Sequence, residues 1–182
     1  MSSPRNRAYL SLGSNIEAER NLPAAVRELA NFGSVLAVSR AWESLPFGSH
    51  SPDAENFLNA AVLLQTELSA QAICDEVVST IEQRLGRVRD PRDKNAPRTI
   101  DVDLSLFNDQ ILTIGHRTIP DPEILARAFV AVPLAEVDPD YLHPVARRRL
   151  KEIADELAAR QQLWARGDVA LGVNSSAQES SR

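Results

Sequence analysis

The fold is decided by the stretch Thr99-Ile-Asp-Val-Asp-Leu-Ser-Leu-Phe107. Every second residue from Ile100 to Leu104 is apolar, and strict alternation predicts a β-strand with one buried face. Asp101 and Asp103 then share the opposite face, roughly 6–7 Å apart along the strand. Aspartate is unfavourable inside strands, so the pair indicates a function such as metal binding. The alternative is a solvent-exposed strand face, which the Asp-x-Asp pattern alone leaves open.

Patterns on both sides of this strand predict the rest of the fold. Apolar residues at helical spacing indicate helices, and alternating runs bounded by turn residues indicate strands. The other predicted strands are Ala8–Gly13, Val35–Ser44, Asn56–Gln65 and Ile111–Ile114. The first predicted helix is capped by Asn21, runs to Phe32 and ends at Gly33, and the second is capped by Ser69 and closed by Gly86. A helical stretch over Glu123–Glu136 is broken or bent at Pro133, and a last helix covers Arg147–Gln162.

The order of these elements selects the fold class. The second and third strands follow each other directly, as do the fourth and fifth, which favours an α+β fold with a mainly antiparallel sheet. A doubly wound fold would need strict strand–helix alternation. The 182 residues suit one domain, which we place at residues 1–164. Glycine, serine, asparagine and glutamine are frequent near the end, so we predict a disordered tail over residues 165–182.

Composition narrows the classes of partner. The net charge of -5 disfavours nucleic acid as a partner, because phosphate contacts need surplus cations. A single cysteine, Cys74, excludes an intramolecular disulfide and fits a reducing compartment. The first residues do not lead into the apolar stretch of a signal peptide, and no window approaches the ~20 apolar residues of a membrane span. We therefore expect a cytoplasmic protein with neither nucleic-acid nor membrane partners.

A basic loop immediately precedes the aspartate pair. Six of the 20 basic residues fall within fifteen positions, and they are Arg84, Arg87, Arg89, Arg92, Lys94 and Arg98. Carboxylates that hold Mg²⁺ beside arginines that neutralise phosphate oxygens are what a metal–polyphosphate site needs. The alternative is a solvated charge run balanced by Asp90 and Asp93. The sequence has no glycine-rich phosphate loop, so side chains would have to hold the phosphates.

The run Lys94-Asn-Ala-Pro-Arg-Thr-Ile-Asp-Val-Asp103 resembles the signature of the 6-hydroxymethyl-7,8-dihydropterin pyrophosphokinase family. Four further segments resemble the family in order and spacing, and the similarity extends from about Tyr9 to His143. These segments are Leu10–Asn15, Phe57–Val62, Glu82–Arg89 and Arg127–Leu134. The resemblance implies a ferredoxin-like core with helices on both faces of the sheet. It also implies a reaction in which Mg²⁺ and ATP transfer a pyrophosphoryl group to 6-hydroxymethyl-7,8-dihydropterin and release AMP, in folate biosynthesis.

The same resemblance implies roles for individual residues, with two Mg²⁺ ions, ATP as co-substrate and a monomeric chain. The implied metal ligands are Asp101 and Asp103. The implied catalytic residues are Arg87, Arg98, Asp101 and Asp103. The implied ATP-binding residues are Glu82, Arg89, Lys94, Thr118 and Arg127. The implied pterin-binding residues are Ser44, Leu45, Phe47, Phe57, Asn59 and Phe129. Core packing is the alternative role for Phe57 and Phe129, whereas a buried amide such as that of Asn59 needs partners.

Four positions depart from the family pattern. Asp121 stands where the family usually has histidine. We interpret it as the cap of the following helix, and binding of metal or water is the alternative that leaves a catalytic role open. A loop tryptophan is replaced near Asn95, Phe57 replaces a frequent tyrosine, and His116 stands where arginine can occur. Asp121 raises the alternative of a catalytically impaired paralogue that binds pterin and nucleotide. A sugar-nucleotide transferase with a metal-binding Asp-x-Asp is a second alternative, which the strand order disfavours.

Overall fold

A computed structural model describes residues 5–47, 54–89, 91–92 and 96–172. Lys94 of the predicted ATP set lies outside these residues. The strands are β1 (Asn6–Ser14), β2 (Ser34–Val38), β3 (Trp42–Ser44), β4 (Phe57–Thr66), β5 (Asp101–Phe107), β6 (Leu112–Ile114), β7 (Arg117–Ile119) and β8 (Trp164–Ala165). The helices are α1 (Ala18–Leu29), α2 (Ala70–Ala72), α3 (Val78–Arg84), α4 (Ala128–Val137) and α5 (Leu150–Ala158). A π-helical turn (Ile73–Val77) joins α2 to α3, and a 3-10 turn (Pro122–Leu125) precedes α4.

The main sheet has the strand order β5-β1-β4-β3-β8, and β2 pairs with β4 beside β3. All of its pairings are antiparallel, while β6 and β7 form a separate antiparallel ladder. The predicted α+β class with a mainly antiparallel sheet is therefore confirmed. Within the described residues, no helix is both long enough and apolar enough to cross a bilayer.

Helices cover both faces of this sheet, as predicted. Alternate side chains of β1 and β4, such as Leu10 and Val62, pack under α1 and the α2–α3 helix. The intervening residues, such as Tyr9 and Leu63, pack under α4 on the other face. Because successive side chains of a strand point to opposite faces, two separate apolar layers result. The second layer covers only part of its face, which leaves room for a pocket.

Several local predictions hold. The hydroxyl of Ser69 accepts a hydrogen bond from the backbone N–H of Ala72, which caps the α2–α3 helix. Gly86 follows this helix at φ +71°, the left-handed conformation that glycine adopts at helix ends. Ile73 and Ile81 of the predicted apolar stripe are fully buried. The sequence therefore fixes this helix well, apart from its central π-helical turn.

Two predictions about α1 are wrong. The helix begins at Ala18, so Asn21 lies inside it and donates its side-chain N–H to the carbonyl of Ile16 instead of capping the helix. The helix ends at Leu29, and Gly33 serves another purpose. A Cβ at Gly33 would lie 2.3 Å from the backbone oxygen of β4, so glycine is required by close approach of two chains.

Other element boundaries differ as well. The predicted strand over Val35–Ser44 is two strands, because the chain leaves the ladder at Ser39, whose hydroxyl accepts from the N–H of Ala61. Pro133 lies within α4 without ending it, and the break falls earlier, at Arg127. The predicted last helix over Arg147–Gln162 shortens to α5, and β7 was not predicted.

The end of the chain also differs from prediction. Residues 165–172 were expected to be disordered, yet Ala165 pairs with Trp42 as part of β8. Leu171 is 6% exposed and belongs to the main apolar core. The domain therefore continues past residue 164 to at least Gly172. Residues 173–182 lie outside the described residues.

Candidate active site

A cavity of about 620 Å³ opens on the α4 face of the sheet, beside the apolar layer. It is bordered by side chains from β1, β3, β4, β5 and α4, so several parts of the chain meet there. The predicted site residues that line it are Ser44, Leu45, Phe47, Phe57, Asn59, Arg98, Asp101, Asp103 and Phe129. The α4 face of the main sheet therefore has two parts, an apolar layer packed under α4 and an open, polar cavity.

Strand β5 places both aspartates in this cavity. Asp101 pairs with Gly13 and Asp103 with Ser11, so both carboxylates project from the same face. The cross-strand neighbours are small, and a Cβ added at Gly13 would only reach ordinary contact distance. The opposite side of β5 carries Val102 into the main core. The alternation read from the sequence is thus the physical reason that the acids face the cavity.

Two arginines neutralise Asp101. Arg87 Nη1 donates to Oδ1 of Asp101, and Arg98 Nη1 donates to Oδ2 at 2.8 Å. Burial alone would raise the pKa of Asp101, but the charges and hydrogen bonds of Arg87 and Arg98 outweigh it and hold the pKa below its ordinary value. Asp101 is consequently an ionised carboxylate with a fixed orientation.

Asp103 has a different environment. Burial, followed by the charges of Asp101 and Asp121, raises the pKa of Asp103 to about 7, and the more distant Arg117 only partly opposes this. Among the described residues, none forms a hydrogen bond or ion pair with its carboxylate. Such a group is stabilised by an added cation. Asp103 therefore provides the negative charge that a metal ion in this cavity would offset.

The donor set fits a hard divalent cation. Carboxylate oxygens on one strand face are ligands that Mg²⁺ prefers, and Mg²⁺ commonly keeps water and phosphate oxygens in its shell. Within the described residues, no group of three or more His, Cys, Asp or Glu side chains is arranged to hold a metal. Asp101 and Asp103 alone would bind such an ion incompletely. Phosphate oxygens of a ligand are the natural complement, which links metal binding to nucleotide binding.

Glu82 lies behind the arginines rather than in the cavity. It is 5% exposed and accepts hydrogen bonds from Arg87 Nη1 at 2.5 Å, from Arg89 Nη2 at 2.6 Å and from the N–H of Val102 at 3.3 Å. The oxygens of Glu82 are occupied by protein donors, and its place beside the nucleotide stays a prediction. Its contribution is to hold Arg87 against Asp101.

Toward β3, the cavity lining carries an amide and two aromatic rings. Asn59 Nδ2 donates to the carbonyl of Trp42 at 3.1 Å and to Ser44 Oγ at 2.9 Å. No described residue donates to Asn59 Oδ1, which is free to accept from a ligand. Phe57 and Phe129 supply ring surface to the lining. This end fits a flat heteroaromatic ligand with N–H groups along one edge.

Three of the predicted ATP-binding residues, Arg89, Thr118 and Arg127, do not line the described cavity. Thr118 is exposed on β7, and the guanidinium of Arg89 is paired with Glu82. Arg127 lies 3.4 Å from the ring centroid of Phe47, and its buried Nε has no partner among the described residues. Arg89 and Arg127 therefore both contact other side chains of the protein, and neither lines the cavity.

Three acidic residues that line the cavity, Glu55, Asp121 and Glu123, were not assigned to the site from the sequence. Asp121 and Glu123 line it, and Asp121 caps the 3-10 turn by accepting from the N–H of Glu123 at 2.9 Å. The interpretation of Asp121 as a cap is therefore confirmed, yet its charge also reaches Asp103. Arg117, likewise unassigned, donates to the carbonyl of Cys74 and lowers the pKa of Asp103. The departures from the family pattern at His116 and Asp121 were the sequence features that could have pointed to these residues.

Comparison with known proteins decides between the possible families. The sequence model of the 7,8-dihydro-6-hydroxymethylpterin-pyrophosphokinase family matches residues 9–139. The chain belongs to this family. Among relatives named 2-amino-4-hydroxy-6-hydroxymethyldihydropteridine pyrophosphokinase, that of Methylorubrum extorquens is 40% identical over 137 residues, covering 74% of this chain and 84% of the relative. That of Synechocystis is 34% identical over 153 residues, covering 82% of this chain and 75% of the relative.

Solved structures agree on the fold of this pyrophosphokinase family member. The crystal structure of Plasmodium falciparum HPPK-DHPS wild type with pteroate superimposes with a TM-score of 0.66 at 14% identity, covering 88% of this chain. A second wild-type structure of that protein gives 0.67 at 14% identity and covers 87% of this chain. The chain spans 44% and 46% of those longer chains. At this identity the likeness concerns the fold alone, and the predicted ferredoxin-like core is confirmed.

Proposed function

We propose that this chain transfers the pyrophosphoryl group of ATP to the hydroxymethyl group of 6-hydroxymethyl-7,8-dihydropterin, in folate biosynthesis. The hydroxymethyl oxygen forms a bond to the β-phosphorus, the bond from the β-phosphorus to the α-phosphate oxygen breaks, and its electrons leave with AMP. The hydroxyl proton is released. The observation that carries the proposal is the shared cavity, whose lining combines the Asp101–Asp103 pair with the amide of Asn59 and the rings of Phe57 and Phe129.

Asp101 and Asp103 would hold Mg²⁺, and we propose two ions. When bound, Mg²⁺ supplies positive charge to the triphosphate and to the leaving α-phosphate oxygen. Arg98 borders the cavity and Arg87 lies directly behind Asp101, so both guanidinium groups add positive charge near the reacting phosphate. Their work is positioning and charge neutralisation, which is what phosphoryl transfer mainly requires.

The pterin would occupy the amide end. Asn59 Oδ1 accepts from an N–H of the pterin ring, while Phe57 and Phe129 cover its faces. Ser44 orients the amide, and Leu45 and Phe47 border the same end of the cavity. Stacking supplies affinity and the amide supplies specificity, because an analogue without the matching N–H would leave Oδ1 unpaired.

The proposed ATP contacts are Arg89, Thr118 and Arg127, which lie outside the cavity lining, and Lys94, which lies outside the described residues. Binding a phosphate through Arg127 would require its guanidinium to leave the ring of Phe47. Glu82 enters the proposal as the group that holds Arg87 and Arg89. We further propose that the chain acts as a monomer, and size-exclusion chromatography with light scattering tests this.

Formation of AMP from ATP and 6-hydroxymethyl-7,8-dihydropterin, with and without Mg²⁺, tests the proposed reaction. Asp103→Asn is expected to abolish turnover and leave the fold intact. Asp109→Asn is the matched control, because Asp109 is exposed in the turn after β5, and it is expected to retain wild-type activity. Normal turnover by Asp103→Asn, or AMP release that does not depend on Mg²⁺, would rule out the proposed site.

One observation favours a second candidate, a paralogue that binds both substrates without transfer. Asp121 adds a carboxylate where a triphosphate would lie, and its charge already reaches Asp103. Calorimetry with a non-hydrolysable ATP analogue, with and without Mg²⁺, separates the two functions when combined with the AMP assay. Binding of the analogue without AMP release from ATP would favour the paralogue.

A further inference from the structure

The C-terminal segment Trp164–Gly172 packs against the sheet beyond the part of the chain that matches the family. Its strand β8 pairs with β3, and the N–H of Arg166 donates to the carbonyl of Ala41 at 2.9 Å. Farther along, Leu171 is buried in the main core. The segment is therefore fixed both at the sheet edge and in the core.

The strand that it covers is short but important for the cavity. Strand β3 has only three residues, and so short an edge strand has little stability of its own. It nevertheless supplies both main acceptors for the amide of Asn59, the carbonyl of Trp42 and the hydroxyl of Ser44. The position of β3 thus sets the orientation of Asn59, and β8 covers the edge of β3 that β4 leaves open.

Arg166 ties this segment to β3 through Glu43. Its Nη1 donates to Glu43 Oε2 at 3.0 Å, and its Nη2 reaches Glu19 of α1 and Asp168, each at 2.7 Å. The other oxygen of Glu43 accepts from Asn56 Nδ2 at 2.8 Å. Glu43 and Asn56 stand just before and just after residues 44–55, which include cavity-lining positions. Glu43 therefore joins the two ends of this segment, and Arg166 holds Glu43.

Arg166 does not line the cavity, so any effect it has on a ligand is indirect. The effect should also be confined to one end of the site. The order β5-β1-β4-β3-β8 puts three strand spacings, roughly 14 Å, between β3 and the strand that bears Asp101 and Asp103. A shift of β3 would move the acceptors of Asn59, whereas Asp101 and Asp103 lie on β5, which does not pair with β3.

We propose that Arg166, with the segment Trp164–Gly172, positions the aromatic–amide end of the cavity by holding Glu43 and β3 in place. Arg166 is a positioning residue in this scheme, and Asn59 is the group that it orients. The inference rests on the proposed function, which assigns the pterin to that end. It adds that residues outside the family-matched region determine how tightly the pterin is held.

The experiment compares substrate affinities in full-length variants. Arg166→Gln removes the charge that holds Glu43, and Arg166→Lys keeps the charge but loses the fork of guanidinium donors. Calorimetry measures binding of 6-hydroxymethylpterin and, separately, of a non-hydrolysable ATP analogue with Mg²⁺. We expect Arg166→Gln to weaken pterin binding about fivefold, which corresponds to ~1 kcal/mol, with analogue binding within about twofold of wild type. Arg166→Lys should restore part of the loss.

Two controls separate positioning from general damage. Asp168→Asn removes a partner of Arg166 that does not touch β3. Arg160→Gln removes an exposed arginine that pairs with Glu156 of α5. Both should bind pterin as wild type does. Glu43→Gln should weaken pterin binding like Arg166→Gln, and the double variant should add little, because the two residues act as one unit.

The outcomes distinguish this inference from the proposed function. If the wild type releases AMP and Arg166→Gln binds pterin as tightly as wild type, the positioning role is wrong and the transfer reaction stands. Equal weakening of pterin and ATP-analogue binding would also overturn it, since that is loss of fold. If the wild type binds pterin more tightly than Arg166→Gln but releases no AMP, positioning stands and transfer fails.

Discussion

Asp101 and Asp103 lie two residues apart on one strand, yet their substitution should have opposite effects on stability without metal. Asp101→Asn deprives the guanidinium groups of Arg87 and Arg98 of an ion-pair partner. The side chain of Arg87 is 9% exposed, and breaking a buried pair costs about 3–5 kcal/mol. Arg87 keeps Glu82 as a partner, so we expect Asp101→Asn to lower the free energy of unfolding by about 2–3 kcal/mol.

Asp103→Asn instead removes a buried charge that has no described partner. Desolvation and the nearby carboxylate of Asp101 both oppose ionisation of Asp103, so the neutral amide should raise the free energy of unfolding by about 1–2 kcal/mol. Urea unfolding at pH 8 in EDTA measures both variants against wild type. Mg²⁺ with an ATP analogue should then stabilise wild type and leave Asp103→Asn unchanged. Shifts of the same sign in EDTA would refute the reasoning, because it depends on the two carboxylates having different partners.

Four further outcomes follow from single contacts. Glu82→Ala should cost about 2–4 kcal/mol in urea unfolding, since a buried arginine and a backbone N–H lose their acceptor. Gly33→Ala should lower the melting temperature clearly, whereas Gly167→Ala, with open space around it, should not. Burial lowers the pKa of His143, so the unfolded chain binds the proton more readily than the folded chain does. The free energy of unfolding should therefore decrease as pH falls below about 6.5. His143→Asn should flatten this decrease in pH-dependent thermal melts. Asn59→Ala should weaken pterin binding in calorimetry about tenfold and leave ATP-analogue binding unchanged.

The sequence predicts the fold where periodicity and capping agree. The Ser69 cap and the apolar stripe of Ile73 and Ile81 give one helix, and the alternation from Ile100 gives β5. It fails where one residue type serves two purposes. Gly33 suits a helix end as well as a close approach of chains, and only the position of β4 separates these. Leu171 is an isolated apolar residue in a polar stretch, so its burial could not be inferred locally.

The candidate site divides in the same way. Strand alternation alone puts Asp101 and Asp103 on one face, because that depends only on local geometry. The place of Glu82 could not be inferred, because its partners Arg87 and Arg89 are fixed by folding of the loop back onto the helix. The sequence shows that basic residues cluster before β5. It does not show which of these basic residues form ion pairs with acidic residues of the protein.

The boundary between the packed and polar halves of the α4 face depends on one residue of β5. Leu104 and Leu106 continue the same alternation, yet Leu104 pairs with Leu10 and Leu106 with Tyr9, which are adjacent residues of β1. Ser105 is the extra residue of this bulge, and its hydroxyl bonds to that of Ser11. The bulge turns Leu106 into the apolar layer under α4, on the face that carries the aspartates. Without it, Leu106 would face the main core, so the bulge is what brings Leu106 into the apolar layer under α4.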